Sequence, residues 1–203
     1  MFIRKTELKD LPLIENVYTR ARKFMKLSGN PGQWGDKYPQ REKLLRDIEL
    51  GQAYICFEDD SILAVFSFCP GPDKTYAHIE NGSWLNDKPY FVVHRLASSG
   101  LCRGAGAFCL DWCFRQFGNI RIDTHPDNKP MLNLISKKSF VYCGIIYTDD
   151  GTPRKAFQKD IEEKKVIANK KSPGRPGDLN FYETILFLYF LSLHRLWLQG
   201  CGS

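Results

Sequence analysis

Arg103, Gly104, Ala105, Gly106 and Ala107 stand where a stretch of strand character, YFVVHRLA from Tyr90 to Ala97, has given way to the helical run FCLDWCFRQF. A helix opening at such a corner leaves backbone N–H groups without intrahelical acceptors, and small residues let an anion approach them closely. Anion binding is therefore the first chemistry the chain offers. A dinucleotide fingerprint starting at Gly104 would need glycine or alanine at position 109, where Cys109 stands, and a P-loop would need a Gly-Lys-Ser/Thr ending, which is absent.

Other residues with chemical potential are scattered. Trp34 and Tyr38 sit in the Gly- and Pro-rich segment SGNPGQWGDKYPQ, which suits a pocket wall or a buried aromatic plug equally. His78, Glu80 and Trp84 share the stretch DKTYAHIENGSWLND, and Asp123 and His125 close a short strand. None of the seven cysteines forms a CxxC pair, so no zinc knuckle or disulfide framework is indicated and no metal is expected. Cys109 and Cys113 share one helical face and read as small core residues.

Positioning these groups requires a core, and 203 residues at 43% hydrophobic suffice for one main domain with residues to spare. The net charge of +6 suits a phosphorylated small molecule, a nucleic acid or an anionic membrane surface without choosing among them. Strand patterns are expected at Phe2 to Arg4, Ala53 to Glu58, Ile62 to Cys69, Tyr90 to Ala97, Ile120 to Thr124, Phe140 to Tyr147 and Arg154 to Gln158. The first helix should be capped by Asp10 and bury Leu13, Ile14, Val17, Tyr18, Ala21 and Phe24. A second carries Leu44, Leu45 and Ile48, a third buries Ala107, Leu110, Phe114 and Phe117, and a fourth starts at Asp127 or Asn128 with Met131, Leu134 and Ile135 inward. Interleaved strands and helices predict an α/β fold with a mixed sheet.

The run HRLASSGLCRGAGAFCLDW resembles the acetyl-CoA-binding motif of the GNAT superfamily of N-acetyltransferases, in which an arginine or glutamine precedes glycine and a further small residue after a strand. The final small position is Phe108, a departure that would crowd the turn. The signature Asp123 to Asn128, the segment from Arg95 to Ala97, the closing GTPRKAFQK and the early GNPGQWGDKYP are also similar to bacterial GNATs, in the expected order. The resemblance covers residues 1–159 as a GNAT domain and leaves 160–203 as an extension.

The resemblance implies a GNAT-like acyltransferase fold with splayed central strands and acetyl-CoA as co-substrate. Arg95, Leu96 and Ala97 would meet the pantetheine arm, Arg103, Gly104, Ala105, Gly106 and Ala107 the pyrophosphate, and Asn128 the arm again. The reaction would be direct transfer of acetyl to a primary amine of a small molecule or peptide. His94 is the favoured general base and Glu80 the second candidate. The family's tyrosine acid falls on Ile135, so solvent, Tyr142 or a serine such as Ser98 would replace it, or catalysis is lost and the chain is an acetyl-CoA-binding sensor. Trp34, Tyr38 and Trp84 would wall the acceptor site.

The extension holds a charged segment, a Pro/Gly linker and an apolar block from Phe181 to Leu198 that Glu183, His194 and Arg195 interrupt. It suits packing on the domain, a partner or a second copy in a homodimer, and a membrane contact through this helix is less favoured. PGRPG lacks the flanking arginines of a minor-groove hook, so no nucleic acid is expected. The opening residues carry no apolar leader, and the cytoplasm is the expected location.

Overall fold

The computed structural model describes residues 1–161, so the expectations for the extension lie outside the described residues. The strands are β1 (Phe2–Lys5), β2 (Ala53–Glu58), β3 (Ser61–Pro70), β4 (Phe91–Ser98), β5 (Asn119–Thr124), β6 (Val141–Tyr147) and β7 (Pro153–Asp160). The helices are α1 (Leu11–Leu27), α2 (Arg41–Glu49), α3 (Ala105–Gln116) and α4 (Lys129–Lys137). All seven expected strands and all four helices are present; β2 has the expected ends, and the other strands shift by one or two residues at one or both ends.

The strands form one sheet in the order β1-β2-β3-β4-β5-β7-β6. Every pairing is antiparallel except β4 with β5. That parallel ladder holds only at Phe91↔Ile120 and Val92↔Arg121, although both strands run on. The central strands therefore part beyond Val92, as the resemblance implied. A bulge in β4 accompanies the parting. Val65 pairs with Ala97 and Ser67 with His94, so Arg95 and Leu96 together face Phe66, and Arg95 takes φ 55°. Such a bulge bends the strand and re-aims its side chains.

Two apolar clusters pack on one face of the sheet. Ile14, Val17, Tyr18 and Ala21 of α1 pack with Trp34, Leu44, Ile55, Val65 and Ala97. Tyr76, Val92, Ile146 and Ala156 form the other, with Ile79, Trp84 and Tyr90 against them.

Several local expectations are corrected. Leu13 and Phe24 are exposed, because Leu11, Ile14, Val17, Tyr18 and Ala21 already complete a stripe at helical spacing. Asp10 makes no side-chain cap to α1. Its carboxylate instead accepts from Arg4 Nη1 and Nη2 at 2.7 and 2.9 Å and from the Glu7 N–H at 2.8 Å. In α3 the buried stripe is Ala105, Cys109, Leu110 and Cys113, while Ala107 and Phe114 are only half-buried. The two cysteines form the centre of that face, and the aromatic side chains sit at its margins. Among the described residues no helix is long and apolar enough to cross a membrane.

Candidate active site

The parting of β4 and β5 opens a cleft of about 770 Å³. Its walls are Val93 to Leu96 of β4, Ile122 to Thr124 of β5, the loop carrying Gln33, Trp34 and Tyr38, the turn at Asp73 to Thr75, and Asn128.

His94 faces this space with its side chain 20% exposed. Its Nε2 lies 2.8 Å from Asp73 Oδ2 and its Nδ1 lies 4.0 Å from Asp123 Oδ1. Asp73 caps the short turn Lys74–Tyr76 and accepts from the Thr75 N–H at 2.9 Å and Thr75 Oγ1 at 2.7 Å. Burial opposes the charge of Asp73, but the hydrogen bond and charge of His94, with the two from Thr75, outweigh it and hold the carboxyl well below the usual carboxylate range. An ionised Asp73 only accepts, so His94 Nε2 carries the ring proton towards it and Nδ1 keeps the lone pair. Asp123 is fixed in turn by Tyr76, whose hydroxyl donates to Oδ1 at 2.7 Å. Burial, followed by the Asp123 charge, pushes the Tyr76 phenol far up, so it stays a donor. Arg154 Nε stands 4.0 Å from Asp123 Oδ2.

Next to His94, the Arg95 side chain turns into the protein. Its guanidinium pairs with Asp47, itself bonded by Ser67 Oγ at 2.7 Å, and its carbonyl accepts from Tyr18 Oη at 3.2 Å. With only 5% of its side chain exposed, Arg95 offers the cleft its backbone. Leu96 lines the cleft, whereas Ala97 packs into the α1 cluster.

The glycine corner lies beside the cleft. Gly104 immediately precedes α3 at φ 88°, a left-handed conformation that favours glycine, and its carbonyl accepts from the Phe108 N–H at 2.9 Å. The first-turn N–H groups of Ala105, Gly106 and Ala107 have no acceptor within the helix. A Cβ added to Gly106 would meet Leu134 Cδ2 at 3.2 Å and Leu96 Cδ2 at 3.9 Å, so a side chain would crowd the corner. Arg103 and Gly104 are exposed, and Phe108 is half-buried. This corner fits a phosphate group. Asn128 begins α4, accepts from the Met131 N–H at 3.2 Å and donates to Gln33 Oε1 at 2.8 Å, which ties the Trp34 loop to α4.

The remaining sequence candidates stand apart. Glu80 Oε2 accepts from Tyr147 Oη at 2.9 Å and Oε1 lies 3.2 Å from His78 Nε2; hydrogen bonds from Tyr147 and His78 lower its pKa. Tyr142 is 49% exposed on β6 with its ring 5.6 Å from that of Phe157. Trp84 Nε1 donates to the Tyr76 carbonyl at 3.0 Å, and its ring lies 4.1 Å from the Arg121 guanidinium. None of these three is among the residues that line the cleft. Ser98 Oγ bonds the Leu63 carbonyl at 3.4 Å, and Ile135 is 0% exposed in the core. Among the described residues no group of three or more His, Cys, Asp or Glu gathers to hold a metal.

Sequence reasoning missed Asp73. Its DxT pattern marks a capping turn after Pro72, but nothing local links it to a histidine 21 residues on.

A mixed sheet that parts at its single parallel pair, with a glycine-capped helix at the opening and a histidine in the gap, defines an acyl-transfer architecture. No family model matches the sequence, and no curated protein does. Solved structures do. An acetyltransferase of the GNAT family from Streptococcus agalactiae is 30% identical, with a TM-score of 0.71 over 78% of this chain and 94% of that one. A GNAT-family acetyltransferase from Listeria monocytogenes, 18% identical with a TM-score of 0.56, covers 79% of this chain and 94% of its own. A ribosomal-protein-alanine N-acetyltransferase from Brucella melitensis, 14% identical with a TM-score of 0.55, covers 79% and 100%. The last two share the fold alone. The chain belongs to the GNAT family of acetyltransferases and is an acyltransferase enzyme.

Proposed function

We propose that this enzyme is an N-acetyltransferase that moves an acetyl group from acetyl-CoA to a primary amine of a small molecule or peptide, both substrates being bound together. The observation that carries the reading is the His94–Asp73 pair inside the gap where β4 and β5 part.

Acetyl-CoA supplies an activated thioester carbonyl and a thiolate leaving group. The N–H groups of the corner Arg103 to Ala107 hold the pyrophosphate, with the α3 dipole behind them. The freed edge of β4 at Arg95 to Ala97 offers backbone groups to the arm as an added strand would, and Asn128 steadies it. His94 Nδ1 takes the proton of the incoming ammonium, while Asp73 fixes the ring and stabilises the imidazolium that forms. An N–H of the bulge near Leu96 faces the developing oxyanion. Trp34 and Tyr38 wall the acceptor side. We assign the base to His94 rather than Glu80, and give Tyr142 and Trp84 no part in the transfer, because all three lie outside the cleft lining. A thiolate is a sufficiently good leaving group to depart with solvent as its proton source. We place the enzyme in the cytoplasm, in keeping with a cysteine spacing that indicates no disulfide framework.

Ile135 supports the rival reading, an acetyl-CoA-binding module without turnover, since a core isoleucine occupies the position of the family's acid. Acetyl-CoA consumption against a panel of amines separates the two. Turnover that falls by roughly 100-fold or more in His94→Ala supports the enzyme reading. Binding of acetyl-CoA with no turnover on any amine overturns it.

A further inference from the structure

We propose that the Thr124 hydroxyl binds the donor arm, donating a hydrogen bond to an amide oxygen of the pantetheine chain where β4 and β5 part. The inference rests on the acetyl-CoA reading above and adds a residue to it. Thr124 is 0% exposed, and its Oγ1 is a buried side-chain oxygen with no hydrogen-bond partner among the described residues. An unpaired buried hydroxyl is destabilising, and folded proteins rarely keep one without a use.

Its place indicates the use. Thr124 closes β5 and lines the cleft. Lys155 of β7 pairs with it on one side, while on the other the ladder to β4 has already ended at Val92↔Arg121. Alternation along the strand puts Thr124 on the face of Ile120 and Ile122, opposite Arg121 and Asp123. Ile120 pairs with Phe91, whose ring lies 4.7 Å from that of Phe117 at the end of α3, so this is the α3 face. The hydroxyl is thus turned away from the His94–Asp73 pair and towards the side on which Gly106 and Leu96 approach each other. A chain bearing amides is the part of the donor that would run there. A threonine hydroxyl can donate to an amide oxygen and still accept a second bond.

The test is calorimetric titration of the full chain with CoA, and separately with its two fragments, 4′-phosphopantetheine and adenosine 3′,5′-bisphosphate. Thr124→Val replaces the hydroxyl by a methyl of the same shape. It should weaken CoA and 4′-phosphopantetheine by roughly 5- to 10-fold and leave the bisphosphate unchanged. Thr124→Ser, which keeps the hydroxyl, should remain within about two-fold of the original chain. Without ligand, Thr124→Val should melt no lower than the unaltered protein, because an unpaired polar group has been removed. Equal CoA affinity in the valine variant overturns the inference. An equal loss with the bisphosphate, or a lowered melting temperature, also overturns it, since the hydroxyl would then serve the fold. If the unaltered chain binds neither CoA nor 4′-phosphopantetheine, the acetyl-CoA reading itself falls.

Discussion

His94 and Arg95 are consecutive in β4, and each makes a hydrogen bond to one carboxylate, yet they do opposite work. The Arg95 pair with Asp47 is enclosed, with side chains 5% and 9% exposed, and its partner is further bonded by Ser67. The His94 pair with Asp73 is left 20% and 23% exposed at the wall of the cleft. The bulge between them, with Arg95 at φ 55°, lets one residue anchor the strand to α2 while its neighbour faces the gap. A charge sealed from water mainly fixes geometry, because altering its protonation is prohibitive. A histidine at the edge of water can take up and release a proton, and its carboxylate decides which nitrogen does so.

Breaking each pair should therefore fail differently. Arg95→Ala leaves Asp47 buried without its cation and should cost about 3–5 kcal/mol of stability, read by denaturant unfolding. Asp47→Ala should cost a similar amount for the converse reason. If either variant unfolds like the unaltered chain, the pair is not the anchor it appears from its burial. His94→Ala should keep the fold and lose activity by about 100- to 10,000-fold at saturating acetyl-CoA. A loss confined to the KM for the donor would instead make His94 a binding residue and dissolve the contrast.

The sequence shows one side of this comparison better than the other. The order of strands and helices is legible because it rests on local periodicity, and the anion corner because glycines and a strand-to-helix change occur together. His94 can be singled out as a titratable residue near a strand end. Its partner cannot, since Asp73 reaches it only through the folding of a connection that ends at Tyr90, whose hydroxyl accepts from the Asp73 N–H at 3.1 Å. The inward turn of the Arg95 side chain is hidden from the sequence for the same reason. A strand pattern tells which face a side chain occupies only while the register holds, and the bulge breaks it there. Glu80 and Trp84 illustrate the converse. They share a polar stretch with His78, but the Glu80 backbone pairs with Ile145 and Trp84 stacks on Tyr76, which draws both into the support of β6 rather than the cleft.

The smallest expected effect sharpens the comparison most, because it separates positioning from charge. Asp73→Asn keeps a polar side chain beside His94 but can no longer fix the ring by charge. Activity should drop by roughly 10- to 100-fold at saturating acetyl-CoA, because the ring of the base is no longer held by a charged partner. Stability should respond with a definite sign. The folded carboxyl of Asp73 titrates below its unfolded value of about 3.9. Its contribution is therefore present above that value and is lost as pH falls through it towards the folded pKa. Asparagine does not titrate, so the variant should be less stable than the unaltered chain at neutral pH and the gap should narrow as pH drops below about 4. Unfolding curves at several acid pH values measure this directly. A gap that stays constant would show that Asp73 acts through shape alone, and the pair with His94 would then resemble the sealed pair beside it rather than oppose it.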